Sequence, residues 1–237
     1  RLPTVGDYLD HYAETTPDTV LVKQRTAAVT YAEGRERVDR LAAALLGAGV
    51  RRGDRVAVYG NPASECLLIF LACARIGAIF TGLNPKQQLD ELVHICRQAE
   101  PRLVFVVGRL GEEHAGKVAA LAERLAPVPE TVAAGPAAPP GSRSREALEA
   151  AAVDRGALGA VAAAVEPLDP VAMVFTSGSS GAPKAALLVH GPMMRSYAVQ
   201  AERWYGRPPI GVADLPINHL GFVGDNCMTL MVGGGSI

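Results

Sequence analysis

The stretch Val171-Ala172-Met173-Val174-Phe175-Thr176-Ser177-Gly178-Ser179-Ser180-Gly181-Ala182-Pro183-Lys184-Ala185-Ala186-Leu187-Leu188-Val189 contains two apolar runs that enclose a turn rich in hydroxyl groups and glycine. Both runs have the composition of β-strands. The turn combines side-chain hydroxyls, successive N–H donors, two glycines that let a ligand approach the backbone, and the ammonium group of Lys184. This combination is typical of a loop that holds a polyphosphate.

A plain hairpin turn and a Walker A loop both fit this turn less well. Serine and glycine also dominate plain hairpin turns for conformational reasons, but such a turn has no need of Pro-Lys after several hydroxyl residues. A Walker A loop requires Gly-Lys-Ser/Thr at the start of a helix. In this chain Pro183 precedes Lys184 and a strand-like run follows, which excludes a Walker A loop.

The segment from Thr176 to Lys184 matches, at every specified position, the motif Ser/Thr-Ser-Gly-Ser/Thr-Thr/Ser-Gly-x-Pro-Lys. It therefore resembles the phosphate loop of the adenylate-forming superfamily, which comprises acyl-CoA synthetases, luciferases and peptide-synthetase adenylation domains. The resemblance implies an AMP-binding, ATP-dependent ligase with a catalytic Lys184. It also implies that ATP contacts Thr176, Ser177, Gly178, Ser179, Ser180, Gly181, Pro183 and Lys184.

Composition and charge exclude several other classes of protein. Of 237 residues, 49% are hydrophobic and the formal net charge is −1, so the chain lacks the basic field of a nucleic-acid-binding protein. The four cysteines show no spacing typical of a metal site or a disulfide framework, which predicts reduced thiols and a cytoplasmic protein without a bound metal. No apolar run near the N-terminus is long enough to span a membrane.

Apolar helices alternate with short apolar strands along the first half of the chain, which predicts an α/β fold with a mostly parallel sheet flanked by helices. We expect two sheet-containing lobes, as in the N-terminal domain of adenylate-forming enzymes. The first covers residues 1–168 and includes a Pro/Ala-rich surface loop at 127–145. The second covers residues 169–237, begins with the strands that flank the phosphate loop, and is incomplete.

A second candidate site residue is His219, in the stretch Asp214-Leu215-Pro216-Ile217-Asn218-His219-Leu220-Gly221-Phe222. We expect a short strand, a turn and a new apolar segment, which places His219 at a strand end, where ligands collect in open α/β sheets. The stretch resembles the Leu-Pro-x-x-His-x-x-Gly segment of the superfamily, although Gly221 comes one residue early. The resemblance implies that His219 lines the carboxylate pocket of an acyl- or aryl-CoA ligase. By contrast, His190 precedes a helix and is predicted to be structural.

The chemistry implied by the resemblance begins with attack of a substrate carboxylate on the α-phosphorus of ATP, with pyrophosphate as the leaving group. Hydroxyls, backbone N–H groups and Lys184 can neutralise part of the charge on the departing phosphates, and Mg²⁺ the rest. Coenzyme A then cleaves the acyl-adenylate in the second half-reaction. The predicted partners are therefore a small carboxylic acid of fatty acid or aromatic acid metabolism, ATP and coenzyme A.

The sequence ends at Ile237, before any counterpart of the downstream Tyr-Gly-x-Thr-Glu and Thr-Gly-Asp segments of the superfamily. We therefore expect these 237 residues to be the N-terminal part of a ligase and to be inactive alone. We also expect exposed apolar surface around residues 222–232 and, as a consequence, homo-oligomers. The alternative is a nucleotide- or partner-binding module of the same ancestry without catalysis.

Overall fold

The computed structural model describes residues 2–108, 112–134, 139–177, 183–204, 210–212, 214–231 and 233–236. The helices are α1 (Val5–Thr15), α2 (Tyr31–Gly47), α3 (Ser64–Arg75), α4 (Leu89–Ala99), α5 (Glu112–Glu123), α6 (Arg145–Glu149), α7 (Arg155–Ala163), α8 (His190–Trp204) and α9 (Leu220–Met231). The strands are β1 (Val20–Gln24), β2 (Ala27–Thr30), β3 (Arg55–Gly60), β4 (Ile79–Leu83), β5 (Leu103–Val107), β6 (Glu130–Ala134), β7 (Arg143–Ser144), β8 (Pro170–Ser177), β9 (Pro183–Val189), β10 (Ile210–Gly211) and β11 (Gly235–Ser236).

The main sheet has seven strands in the order β7-β6-β5-β3-β4-β8-β9, and every neighbouring pair is parallel except the β8–β9 hairpin. The predicted α/β class with a mostly parallel sheet is therefore confirmed. Strand β8 pairs with β4, with Phe80 opposite Ala172 and Thr81 opposite Met173. The sheet thus continues across residue 168, where we placed a boundary between two lobes, and that boundary remains a prediction.

The Pro/Ala-rich segment at 127–145 differs from our expectation of a surface loop. Its residues Glu130–Ala134 form β6, which pairs in parallel with β5 along its whole length. Val132 is fully buried there and Ala133 is nearly so, and these few apolar side chains suffice because every residue of the strand has a pairing partner in β5. The next residues, 135–138, lie outside the part of the chain that the structure describes.

Two helices near the second sheet begin in different ways. Tyr31 is the first residue of α2, because Thr30 and Glu33 form a reciprocal capping box before it. Helix α3 begins at Ser64 after Ala63, without a side-chain cap. The Ser64 N–H and hydroxyl instead donate to the Gln24 side-chain oxygen, at 3.1 and 3.0 Å.

A second, four-stranded sheet in the order β10-β11-β1-β2 joins residues from both ends of the chain. Val22 pairs in parallel with Ser236, and the hydroxyl of Tyr31 donates to the Gly234 carbonyl at 2.6 Å. In addition, the Val5 N–H at the start of α1 donates to His190 Nδ1 at 3.2 Å. These contacts fasten the first 31 residues onto the last part of the chain.

Four apolar residues of α9, namely Phe222, Val223, Cys227 and Leu230, pack into the main core, whereas Leu220 at the start of the helix is exposed. Phe222 stacks on Phe80 of β4 with a ring-centroid distance of 6.3 Å, and Phe80 in turn contacts Phe70 of α3 edge to face. Val223 and Cys227 are fully buried. The expected apolar patch at 222–232 was therefore wrong for the residues described there, and the prediction of homo-oligomers loses that support.

His190 is a fully buried histidine at the start of α8, in keeping with the structural role predicted for it. Burial lowers the pKa of His190 to about 4, although Asp169 and Asp7 act in the opposite direction. Its Nδ1 accepts the Val5 N–H, so the proton of the neutral ring lies on Nε2. The folded protein consequently favours the uncharged imidazole.

Acidification is expected to remove about 3 kcal/mol of folding free energy through His190. Between the ordinary pKa of 6.5 and the folded-state pKa of about 4, the unfolded chain binds a proton that the folded chain does not. This contribution is therefore complete above pH 6.5 and is lost as the pH falls towards 4. Urea unfolding across this pH range measures the loss.

His190→Gln is the informative variant because glutamine can accept the Val5 N–H but does not titrate. It should flatten the dependence of stability on pH in this window relative to the unsubstituted protein. His114→Gln is the matched control, since His114 lies on α5 and is only half-buried. Equal pH profiles for His190→Gln and the unsubstituted protein would contradict the assignment.

Candidate functional site

The candidate phosphate loop connects two antiparallel strands at the carboxyl edge of the main sheet. Thr176 and Ser177 end β8, and they pair with Lys184 and Pro183, which begin β9. The two strands are therefore paired with each other up to the last described residue on either side of the loop. Four of the predicted ATP-binding residues lie outside the described part of the chain, namely Gly178, Ser179, Ser180 and Gly181.

Lys184 is the positive group at this hairpin. Its side chain is exposed, and none of the described carboxylates forms an ion pair with it. Pro183, directly before it, is half-buried against α4, where the His94 ring nitrogen Nε2 lies 3.0 Å from the Pro183 carbonyl oxygen. The ammonium group of Lys184 is thus available to an external anion, while the contact with His94 holds the backbone beside it.

The His219 segment reaches the same sheet edge because β4 carries a glycine. A Cβ atom at Gly82 would lie 2.5 Å from the Asn218 nitrogen and still closer to the Ile217 carbonyl, so only glycine lets this backbone rest on β4. Strands β4 and β8 are parallel, so their carboxyl ends meet at one edge. The sequence reasoning missed this contact, since nothing local to Gly82 indicates its distant neighbour.

His219 lies in a turn directly before α9, not at the end of the short strand that we expected. The segment turns because it must leave the sheet surface at Ile217 and enter a helix at Leu220. The Gly221 N–H donates to His219 Nδ1 at 3.0 Å. In the neutral ring the proton therefore lies on Nε2, and this exposed N–H can donate to an oxygen of a ligand.

Two aspartates lie near His219. Burial and the neighbouring charge of Asp214 raise the pKa of Asp225, and His219 acts in the opposite direction. The start of α9 therefore carries a small polar cluster of one imidazole and two carboxyl groups. Next to it, the Asn218 side-chain oxygen is buried and has no hydrogen-bond partner among the residues described.

A cavity of about 350 Å³ lies between β1, the first turn of α3 and α9. Since α3 follows β3, its first turn lies at the carboxyl edge of the main sheet, as do the hairpin and His219. The cavity has an apolar part and a polar part, and its volume lies within the range of small-molecule sites. Its lining includes Val22, Leu67, Phe222, Ser64, Asp214 and Asn226.

The cysteines are structural. All four are buried and unpaired, and Cys66 and Cys73 both face the core from α3. Burial raises the pKa of Cys66 and of Cys96 to about 12, so both remain thiols. Among the described residues no group of three or more His, Cys, Asp and Glu side chains could hold a metal ion.

A mostly parallel sheet flanked by helices, with the Lys184 hairpin and the His219 turn at its carboxyl edge, defines an open α/β protein, a class in which ligands bind at that edge. The particular family follows from comparison with known proteins. The sequence model of the AMP-binding enzyme family matches residues 9–237, and the chain belongs to that family. The resemblance inferred from the phosphate loop is therefore confirmed.

Three similar proteins show how much of each chain the match covers. A feruloyl-CoA synthase of Amycolatopsis is 32% identical over 242 residues, which cover 98% of this chain and 43% of that protein. The mitochondrial medium-chain acyl-CoA ligase of Bos taurus is 30% identical, covering 97% and 41%. The structure of acetoacetyl-CoA synthetase from Streptomyces lividans superposes with a TM-score of 0.83 at 25% identity, covering 98% and 38%. The chain thus spans less than half of each of these proteins.

None of the helices in the described ranges combines the length and the apolar character needed to cross a bilayer.

Proposed function

We propose that this chain is the N-terminal part of an AMP-forming ligase that joins a carboxylic acid to coenzyme A. One observation carries the proposal: the hairpin that bears Lys184 and the turn that bears His219 lie at the same carboxyl edge of one parallel sheet. The fold alone does not imply this chemistry. The Lys184 cation and the His219 N–H donor at one edge, however, suit an acyl phosphate and its pyrophosphate leaving group.

Lys184 has the properties required of a phosphate-binding residue in this proposal. It is exposed and has no carboxylate partner among the described side chains, so its charge can be used by the β- and γ-phosphates of ATP. Thr176 stands opposite it across the hairpin. Charge neutralisation on departing pyrophosphate acts on the transition state more than on the ground state, so it accelerates the reaction.

His219 would orient the carboxylate substrate. Its Nδ1 is occupied by the Gly221 N–H, which leaves Nε2–H as a donor to a carboxylate or acyl phosphate oxygen. The backbone on Gly82 fixes where this ring can lie. Holding the carboxylate oxygen in line with the α-phosphorus is the positioning contribution that such reactions need most.

ATP would enter with Mg²⁺, which supplies further neutralisation of the phosphate charge. We assign no protein ligand to that ion. Coenzyme A is the proposed second substrate, and the cytoplasm is the proposed compartment. The four unpaired, buried cysteines support a reducing compartment.

The cavity beside α9 suggests where the acyl group lies. Phe222 and Asn226 follow His219 on the same side of α9, one and two turns further on, and both line the cavity. The curated relatives are named for ferulate and for medium-chain acids, so an arylacrylate and an octanoate-sized acid are the first carboxylates to test.

The test is carboxylate-dependent exchange of labelled pyrophosphate into ATP, using a polypeptide that continues past Ile237 to the full length of the relatives. We expect exchange that requires both Mg²⁺ and a carboxylic acid, followed by acyl-CoA formation when coenzyme A is added. ATP binding without exchange, for any carboxylate in an aromatic and aliphatic panel, would reject the ligase and leave a nucleotide-binding module.

A further inference from the structure

The phosphate hairpin has a side-chain contact that neither the motif nor the family match assigns. His94 lies in α4, almost ninety residues before the loop, and its Nε2 is 3.0 Å from the carbonyl oxygen of Pro183. The ring is half-buried. Helix α4 packs on the sheet face that also carries Phe175 of β8, so this contact joins an independently packed element to the end of the loop.

The carbonyl of Pro183 needs a partner at this position for a physical reason. Proline has no N–H, so the Ser177–Pro183 pair cannot exchange the two hydrogen bonds of a bonded antiparallel pair. The pair is therefore a non-hydrogen-bonded one, in which the carbonyl of Pro183 points away from β8. Because β9 is the last strand of the sheet, this carbonyl faces the open edge, and His94 meets it there.

The contact also determines how the imidazole is protonated. A carbonyl oxygen only accepts hydrogen bonds, so His94 Nε2 must carry the hydrogen. The structure places the Gln98 amide nitrogen Nε2 2.9 Å from the same ring nitrogen. A ring nitrogen that donates cannot accept from an amide N–H, so this donor assignment requires the Gln98 amide to be turned by half a turn, with its oxygen towards His94. His94 Nε2–H is thus shared between Pro183 and Gln98.

We propose that His94 is a positioning residue that fixes the C-terminal end of the phosphate loop for ATP. The inference rests on the proposed function, because it assigns the loop to ATP phosphates. Pro183 precedes Lys184, so an anchored Pro183 carbonyl fixes the backbone from which the ammonium group extends. Without this anchor the backbone at Pro183 and Lys184 has more conformations, and binding ATP must order it at a cost in affinity.

Two substitutions at His94 separate positioning from general packing. His94→Leu removes the N–H donor but keeps an apolar side chain of similar bulk. His94→Gln restores an N–H donor at about the distance of Nε2. His114→Leu is the control, because that half-buried histidine lies on α5, not on the helix that contacts Pro183. All variants are made in the full-length protein.

Kinetics of pyrophosphate exchange provide the first measurement. We expect His94→Leu to raise the KM for ATP about five- to tenfold, the effect of one lost hydrogen bond on a loop. The KM for the carboxylate should change less than twofold, His94→Gln should recover most of the affinity for ATP, and His114→Leu should match the unsubstituted enzyme. An unchanged KM for ATP in His94→Leu overturns the proposal.

Hydrogen exchange of the backbone amides provides a second measurement that does not depend on catalysis. Peptides covering residues 174–187 should exchange about tenfold faster in His94→Leu, while peptides from β3 to β5 keep their rates. Equal rates in the hairpin overturn the proposal even if the unsubstituted protein shows no pyrophosphate exchange. Absence of pyrophosphate exchange in the unsubstituted protein, by contrast, rejects the ligase function. The hydrogen-exchange rates of the hairpin then still decide whether His94 anchors the end of the loop.

Discussion

Replacing Lys184 with alanine is expected to lower kcat/KM for ATP in carboxylate-dependent adenylation by about 10²- to 10³-fold. The ammonium group is exposed at the end of a fixed hairpin and is not neutralised by any described carboxylate. Its charge is therefore fully available to the phosphates as negative charge develops on the leaving group. Steady-state rates of AMP formation at varied ATP concentration measure the loss.

Two further variants show whether the effect is specific to this position. Lys184→Arg keeps the charge but replaces a compact ammonium with a planar fork, so it should recover only part of the activity. Lys86→Ala removes another exposed lysine, from the loop that follows β4, and should change kcat/KM less than twofold. Equal losses for Lys86→Ala and Lys184→Ala would attribute the effect to general surface charge instead.

Gly82→Ala is expected to destabilise the protein by about 3 kcal/mol, at the upper end of typical overpacking costs. The added methyl group would overlap the backbone of Ile217 and Asn218, which cannot yield as a flexible side chain can. Gly82 itself lies in a central strand paired on both sides, so neither backbone can shift cheaply. Chemical denaturation measures the change in the free energy of unfolding.

The matched control is Gly159→Ala in α7, where an added Cβ meets nothing within 4 Å. There we expect stability to be unchanged or slightly increased, because alanine favours a helix over glycine. Since Gly82→Ala also moves the turn that bears His219, the folded fraction should show weaker carboxylate-dependent activity. A fully stable Gly82→Ala protein would show that the Ile217 segment is not seated on β4.

The sequence predicts the parts of this fold that depend on local patterns. The alternation of apolar helices and short apolar strands in the first half of the chain is a local feature, and so are the two apolar runs on either side of the Ser-Gly-rich turn. The structure forms helices and strands in that half, and β8 and β9 later, where these patterns predicted them. The strand β6 was missed because only Val132 is fully buried within a segment rich in proline and alanine. A backbone that pairs along its whole length needs few apolar side chains to form a strand.

The candidate site is less predictable than the fold, because its geometry rests on distant contacts. The motif indicates Lys184, and the resemblance indicates His219. Neither shows that the backbone before His219 packs on Gly82, or that His94 contacts the carbonyl of Pro183 before Lys184. In both cases the residues are more than eighty positions apart in sequence. Such pairs are determined by sheet order, which places β4, β8 and β9 side by side.

The contacts between the two ends of the chain bear on how the protein folds during synthesis. The N–H of Val5 meets His190, Tyr31 bonds to Gly234, and Val22 pairs with Ser236. Long-range pairings of this kind slow folding, because a long loop must close before they form. The seven-stranded sheet can assemble as soon as its own strands leave the ribosome. The first helix and hairpin, however, must wait for residues about two hundred positions later, and they are the segment that we expect to be captured by chaperones in the meantime.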